Sequence, residues 1–387
     1  MKVCVVTTAF PRWPGDGQAV FVWEAVRAIA RQGIQVRVVA MHSPESRVHE
    51  TMDGVEVLRP RYWWPERWEY LRKEGPAGLP VAWRKYPLAR VQILPFLLVH
   101  ALTAARCARS CDLIHAQWTL SAGAAQLGRW LHQRPILVTV QGSDIFQVTR
   151  HPLGAWLTQK VLLQCDGITA LSQALKDATT ALGIREDRIE IIPNGVDTDE
   201  FTPPADDIRE DVILYVGTLI KRKGLKYLLG AMPEIMRSHP GFRLVLVGEG
   251  PEEQALRQLA DEVDVAKRVS FLGFQPPDQV RAWMQRARVL VLPSLEEGMG
   301  VVLLEALACG TPVVGSRVDG IQDVITPQVG RLVPPADSAA LSEAIQAILS
   351  DSQQWADMSQ QGRHRAVTHY DWDHIATQFV NLYESIA

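Results

Sequence analysis

Glu297 and Glu305 stand on either side of seven residues in the stretch PSLEEGMGVVLLEALACGTPVV, residues 293–314. An ionised carboxylate only accepts hydrogen bonds, so each is suited to holding a hydroxyl group. The apolar run between them predicts a helix over about residues 300–308, ended by Gly310 in a left-handed cap and by Pro312, which cannot continue it. At a rise of about 1.5 Å per residue the two carboxylates lie on the order of 12 Å apart along the axis. A diphosphate fits that span, with one Glu on a sugar hydroxyl and the other on a ribose hydroxyl. The free N–H groups of Gly298, Met299, Gly300 and Val301 would meet the diphosphate with the positive end of the helix dipole.

Paired carboxylates on a helix are more often a solvated face than a site. A second cluster changes that balance. In YVGTLIKRKGL, Lys221, Arg222 and Lys223 follow an apolar run and sit between Gly217 and Gly224. Three cations at a strand end attract an anion, and the glycines let the backbone approach it closely.

The pattern P-S-x-x-E-G-x-G followed by E-A-x-A-x-G-x-P-V-V resembles the E-x7-E signature of the retaining glycosyltransferases of family 4, which have the GT-B fold. The resemblance implies that Glu297 contacts the donor sugar and Glu305 the nucleotide ribose, and that Lys223 and Arg222 neutralise the departing diphosphate. Thr218 stands where the family usually has arginine, and Arg222 is the nearby substitute. The resemblance further places Gly17, in the loop PRWPGDGQAV with Gly15, near the reaction centre. It makes Gly217, Gly248 of VGEGP and Phe274 of FLGF neighbours of the nucleotide. Two cations in these positions do electrostatically what a metal does elsewhere, so no metal and no cofactor are expected. The co-substrate is a nucleotide sugar, with a UDP-sugar favoured and GDP- or ADP-sugars as alternatives.

Where the family usually has H-G-x-D, this chain reads Gln141, Gly142, Ser143, Asp144, and IHAQW keeps His115 but has Gln117 at a site where relatives often carry a second histidine. Glutamine donates and accepts hydrogen bonds but does not change charge near neutral pH. Gln141 is expected at the donor sugar, and His115 and Asp144 on the acceptor side. Residues 59–96 interleave Tyr62, Trp63, Trp64, Trp68, Tyr70, Trp83 and Tyr86 with eight Lys and Arg between Arg59 and Arg90. Such aromatics either pack on the domain or meet a glycan or lipid headgroup. Trp63 and Trp64 are the candidates for contact with the acceptor or the inner membrane surface.

The elements that must position these residues read as α/β. Short β-branched runs alternate with helical segments: Val3 to Thr7, Val36 to Ala40, Leu113 to Ala116, Ile136 to Val140, Ile168 to Leu171 and Ile189 to Ile192. A second set follows Pro203: Val212 to Val216, Leu244 to Val247, Val269 to Leu272, Val289 to Leu292 and Pro312 to Val314. Two Rossmann-like domains facing across a cleft are expected, with the breaker-rich IIPNGVDTDEFTPP between them. The expected domains are 1–196 for the acceptor, 197–370 for the donor, and a helix at 371–387 returning to the first domain.

Composition narrows the class. The 387 residues are 47% hydrophobic and 21% charged with net charge −3, which gives no global attraction to nucleic acid or to an anionic membrane, so any basic surface is local. Five scattered cysteines without a C-x-x-C pair predict reduced, buried thiols in a cytoplasmic protein, and peripheral contact with the inner face of a membrane is one of the two options that the aromatic stretch carries. The apolar run Val91 to Ala105 contains Pro95 and His100, is short for a bilayer span, and is expected to be a buried helix. The expected activity is hexose transfer from a nucleotide sugar to a glycan or lipid-linked acceptor, in envelope or exopolysaccharide synthesis. A nucleotide-sugar epimerase and a silent nucleotide-sugar-binding protein are the rivals. The first would convert donor without acceptor; the second would bind nucleotide without turnover.

Overall fold

The computed structural model describes all residues except 14, 18, 72–81, 83, 84 and 207, so Trp83 lies outside the described residues. The chain forms two compact units. One comprises Met1–Pro193 with Asp373–Ala387, the other Asn194–Trp372.

The first unit runs β1 (Lys2–Thr7), α1 (Val20–Arg31), β2 (Gln35–Ala40), β3 (His49–Met52), β4 (Val55–Leu58), α2 (Pro87–Ala108), β5 (Leu113–Gln117), α3 (Thr119–Leu127), α4 (Arg129–His132), β6 (Ile136–Val140), α5 (Pro152–Leu163), β7 (Gly167–Ala170), α6 (Gln173–Ala181) and β8 (Ile189–Ile191). Its eight strands lie in the order β3-β4-β2-β1-β5-β6-β7-β8, parallel except for the antiparallel edge pair β3–β4. Central strands such as β6, ILVTV, are buried along their whole length, which is why their sequences are continuous apolar runs and not alternating ones.

The second unit runs β9 (Val212–Val216), α7 (Leu225–Ser238), β10 (Arg243–Val247), α8 (Glu253–Glu262), β11 (Val269–Phe271), α9 (Pro277–Arg286), β12 (Val289–Leu292), α10 (Val301–Ala308), β13 (Val313–Ser316), β14 (Gly330–Val333), α11 (Ser338–Ser350) and α12 (Ser352–His369). Its six strands are ordered β11-β10-β9-β12-β13-β14, all parallel. The order reverses at β9, and in open parallel sheets such a switch point is where ligands bind.

The last helix, α13 (Trp372–Ile386), turns Ile375, Phe379 and Tyr383 inward, and all but its first residue belong to the first unit. The Tyr383 hydroxyl lies 2.7 Å from His115 Nδ1, and Arg31 holds Asp373 at 3.0 Å.

The apolar run around Val91 departs from expectation in two ways. It belongs to a helix of 22 residues, α2, long and apolar enough to cross a bilayer by length and composition. Only one face is covered: Phe96, Ala101, Ala104 and Ala105 pack inward while Val91, Leu94, Leu98 and Leu102 face out.

Candidate active site

The second unit builds its site from two loops stitched together by backbone. After β12 the chain turns through Pro293–Gly300 and enters α10, with Gly300 as N-cap at φ +70. A side chain is excluded there, because a Cβ would stand 3.0 Å from Leu292 Cδ2 as well as forcing a left-handed conformation. Met299 turns inward and its sulfur accepts from the Asn194 N–H at 3.0 Å, so this residue offers a ligand only its backbone. The first N–H groups of α10 have no intrahelical acceptor, and no acidic side chain occupies its first turn.

The cation turn Lys221–Lys223 follows β9 and docks on this loop. Leu295 N–H donates to the Arg222 carbonyl at 2.7 Å. Gly224, at φ +66, lies so close that a Cβ would fall 2.0 Å from the Pro293 carbonyl oxygen. Lys223 Nζ thereby reaches Glu297 Oε2 at 2.5 Å, and the Ser294 hydroxyl donates to the same oxygen at 3.1 Å. Both bonds fall on Oε2 and leave Oε1 as an acceptor, while the lysine has further N–H groups for an anion. Burial pushes the Glu297 carboxyl up, but the Lys223 charge and hydrogen bond, then Arg222 and Ser294, outweigh it and hold the group below its ordinary value of 4.5. Glu297 is therefore ionised at neutral pH. Beneath it, the Tyr215 hydroxyl donates to the Thr218 carbonyl at 3.0 Å. Burial first and the Glu297 charge second raise the Tyr215 pKa, which keeps the phenol protonated.

Three glycines form the floor beside this pair. Gly217 adopts φ +152 and Gly248 φ +129, and a Cβ on Gly248 would stand 2.1 Å from the Gly217 carbonyl oxygen. Gly248 N–H donates to the Gly273 carbonyl at 2.8 Å. Phe274 follows with its ring largely exposed and its N–H on Glu249 Oε1 at 3.2 Å, a position from which an aromatic can stack on a base. Glu305 is half-buried in the middle of α10 while Glu297 lies in the loop before it, and after burial the Glu305 charge is the next cause raising the Cys309 thiol to about 12.

The first unit holds a different arrangement, a chain of neutral polar groups. His115 Nε2 lies 2.7 Å from Thr139 Oγ1, and Thr139 Oγ1 lies 2.7 Å from Thr169 Oγ1. The Gln117 amide nitrogen stands 3.2 Å from the same His115 nitrogen, and Gln117 Oε1 accepts from Gln141 Nε2 at 2.5 Å. Since Nε2 accepts from that amide, the imidazole proton sits on Nδ1 and goes to the Tyr383 hydroxyl. Burial lowers the His115 pKa to about 3, so the ring is neutral. Gln141 is the partly exposed end of this chain. The contact between His115 and Tyr383 of α13, from which this line runs to Gln141, joins residues 268 positions apart.

His115 and Asp144 do not reach an acceptor surface. His115 is buried with both nitrogens engaged inside the unit. Asp144 is buried as a clamp: Oδ1 accepts from Gln141 N–H and Oδ2 from Thr119 N–H, each at 3.0 Å. Burial raises its pKa, and the backbone donors oppose that shift. Gly17 lies exposed beyond a turn in which Asp16 accepts from the Arg12 backbone at 2.9 Å and side chain at 2.8 Å. Of the aromatic stretch, Tyr62 packs in a small core with Leu71, Ala89 and Phe96, and Trp63, Tyr70 and Tyr86 lie against it. Trp64 is 86% exposed. The sequence reading missed Ser294, although it stands inside the quoted motif, and Tyr215, whose hydroxyl no local pattern singles out.

Two family models tile the chain: Glycosyltransferase Family 4 over residues 15–200 and Glycosyl transferases group 1 over residues 198–365. The chain is 32% identical to an uncharacterized glycosyltransferase of Methanocaldococcus jannaschii, across 99% of this chain and 98% of that one. The protein belongs to the family 4 glycosyltransferases, and its two parallel-sheet units are the GT-B fold. Sucrose-phosphate synthase from Thermosynechococcus elongatus superposes with a TM-score of 0.81 at 24% identity, over 100% of this chain and 98% of that one. HepE of Anabaena, solved in complex with UDP-glucose, gives 0.76 at 19% identity with full coverage of both chains.

Proposed function

We propose that this protein is a retaining, metal-independent hexosyltransferase. In this reading it moves a hexose from a nucleotide sugar, with UDP favoured, to a glycan or lipid-linked acceptor in envelope or exopolysaccharide synthesis. The observation that carries it is the Lys223–Glu297–Ser294 group, seated before the N-terminus of α10 with Arg222 alongside. The diphosphate lies against the α10 N–H groups, Lys223 and Arg222, and Glu297 Oε1 accepts from a hexose hydroxyl. As the bond from the anomeric carbon to the phosphate oxygen breaks, these cations stabilise the charge that develops on the leaving group. The acceptor hydroxyl adds to the same face of the ring and passes its proton to the departing phosphate, so the anomeric configuration is kept and no side-chain base is required. Glu305 accepts from the ribose and Phe274 stacks on the base. Gln141 offers the donor sugar a neutral hydrogen bond where relatives present histidine. HepE with UDP-glucose supports uridine as the base. The five unpaired cysteines fit a reducing cytoplasm.

The test is thermal stabilisation by UDP, GDP, ADP and their sugar conjugates in EDTA, with wild type beside Glu305→Ala. A ligand at 100 times its Kd stabilises by about 2.7 kcal/mol. One nucleotide family should raise the melting temperature of wild type and much less that of the variant, and product NMR should show the donor's anomeric configuration. Silence with every nucleotide, or an inverted product, would sink the reading.

A further inference from the structure

In the first unit α2, α3 and α5 share one face of the sheet. Ala104, Cys107, Ala108, Ala122, Ala125 and Leu162 enter a common core with the strands. They pack side by side: Gln126 Nε2 donates to the Val161 carbonyl at 2.7 Å, and a Cβ on Gly128 would stand 2.9 Å from Ala105 Cβ. The outer side of this layer is apolar. Val91, Leu94, Leu98 and Leu102 recur every three or four residues along α2. Leu127 and Trp130 lie at the α3–α4 junction, and Leu153, Trp156, Leu157 and Leu163 lie on α5. All ten are between 45% and 74% exposed. Ten half-open apolar side chains on adjoining helices are the kind of face that marks an interaction site.

Charge identifies the occupant. Residues 75–165 contain nine Lys and Arg against two acids, Asp112 and Asp144, in a chain whose net charge is −3, and of the nine Arg129 is paired with Asp166 at 2.9 Å. Asp144 is buried as the clamp already described, and Asp112 accepts from the Lys2 backbone N–H at 2.7 Å. Arg90 and Arg106 stand at the two ends of the α2 stripe, and Lys160 sits between Leu157 and Leu163 on α5. A second copy meeting this face about a twofold axis would bring like charge against like. An anionic bilayer surface takes both parts, the acyl boundary accepting the leucines and the headgroups the cations, with tryptophans at the level between them.

The geometry points to the α2–α4–α5 face as a docking surface for anionic phospholipid, on which the first unit lies flat without spanning the bilayer. This deepens the reading of a lipid-linked acceptor and moves the membrane contact from Trp63 and Trp64 to the helical layer. Docking needs no donor, so the two ideas fail separately.

The experiment is flotation of the full chain with phosphatidylcholine vesicles, with and without about a third phosphatidylglycerol. Wild type is set beside Leu94→Glu with Leu98→Glu, and beside Trp156→Ser with Leu157→Ser. Far-UV circular dichroism and the melting curve without nucleotide are read in parallel to show that each variant is folded. Wild type should partition onto the anionic vesicles. Each double variant should lose at least tenfold in partitioning while it keeps the wild-type dichroism and a cooperative melt. Wild type that stays free of anionic vesicles, or folded double variants that bind as wild type does, would overturn the proposal. So would a wild-type dimer, free of vesicles, that the variants dissociate.

Discussion

The two units share an architecture and set different groups at the ends of their central strands. The second concentrates charge: Lys223, Glu297, Ser294 and Arg222 meet at the end of β9 and β12. Its outer surface is otherwise polar, with Ile208, Phe274 and Val367 the exposed large apolar side chains among its described residues. The first unit buries neutral polar groups, His115, Gln117, Thr139 and Thr169, and turns ten large apolar side chains of one helical layer outward. A parallel sheet flanked by helices tolerates both patterns because the strands and the inward faces of the helices supply the core. What distinguishes the two units is then what the helices and loops carry at their free faces.

The largest expected effect lies in the charged unit. Glu297→Ala removes the hydroxyl acceptor and frees Lys223, so turnover should fall by about 10²–10³-fold, the scale of losing one electrostatic contact in a transition state. Melting should drop by only a few degrees, because Lys223 is part-exposed and reaches water once its partner is gone. Steady-state kinetics with the identified donor decide it; turnover within fivefold of wild type would remove Glu297 from the mechanism.

Acid should separate the units next. His100 and His115 are buried in the first unit with pKa values lowered by burial to about 4 and about 3. Their folded values lie below the unfolded 6.5, so their stabilising contribution is whole above 6.5 and is lost as pH falls towards the folded values. Each costs about 1.4 kcal/mol per pH unit through that window. Asp144, whose pKa is raised, acts in the opposite sense only within the carboxylate range. No histidine is buried among the described residues of the second unit. Hydrogen exchange at pH 7 and pH 5.5 should therefore show β5 and β6 losing at least tenfold more protection than β9 and β12. Equal losses in both sheets would contradict the asymmetry.

These contrasts were unequally legible in the sequence. Central strands declared themselves as β-branched runs because both their faces are covered, whereas β3, β4 and β14 are short edge or near-edge segments such as HETM and GRLV with no such run. The stop of α10 was readable from Gly310 and Pro312 because capping is local. The family motif named Glu297 and Lys223, but their ion pair joins residues 74 apart in sequence and needed the fold. In α2 the apolar residues run all round the helix, so no periodicity said which leucines would face out. Only the placement of α3 and α5 beside it does that.

The smallest effect tests how far the neutral network of the first unit supports its exposed end. Tyr383→Phe removes the hydroxyl that faces His115 Nδ1 and leaves a buried donor without its acceptor. That costs about 1–3 kcal/mol, and since the Phe379 ring and the ring retained at position 383 would still cover the imidazole, a loss near the lower end is expected. If the chain from His115 through Gln117 orients Gln141, the variant should also raise the donor KM severalfold with kcat little changed, and Gln141→Ala should abolish that difference between tyrosine and phenylalanine. A double-mutant cycle on KM reads the coupling directly. Strict additivity would make the network a matter of stability alone and leave Gln141 positioned by its bond to Asp144.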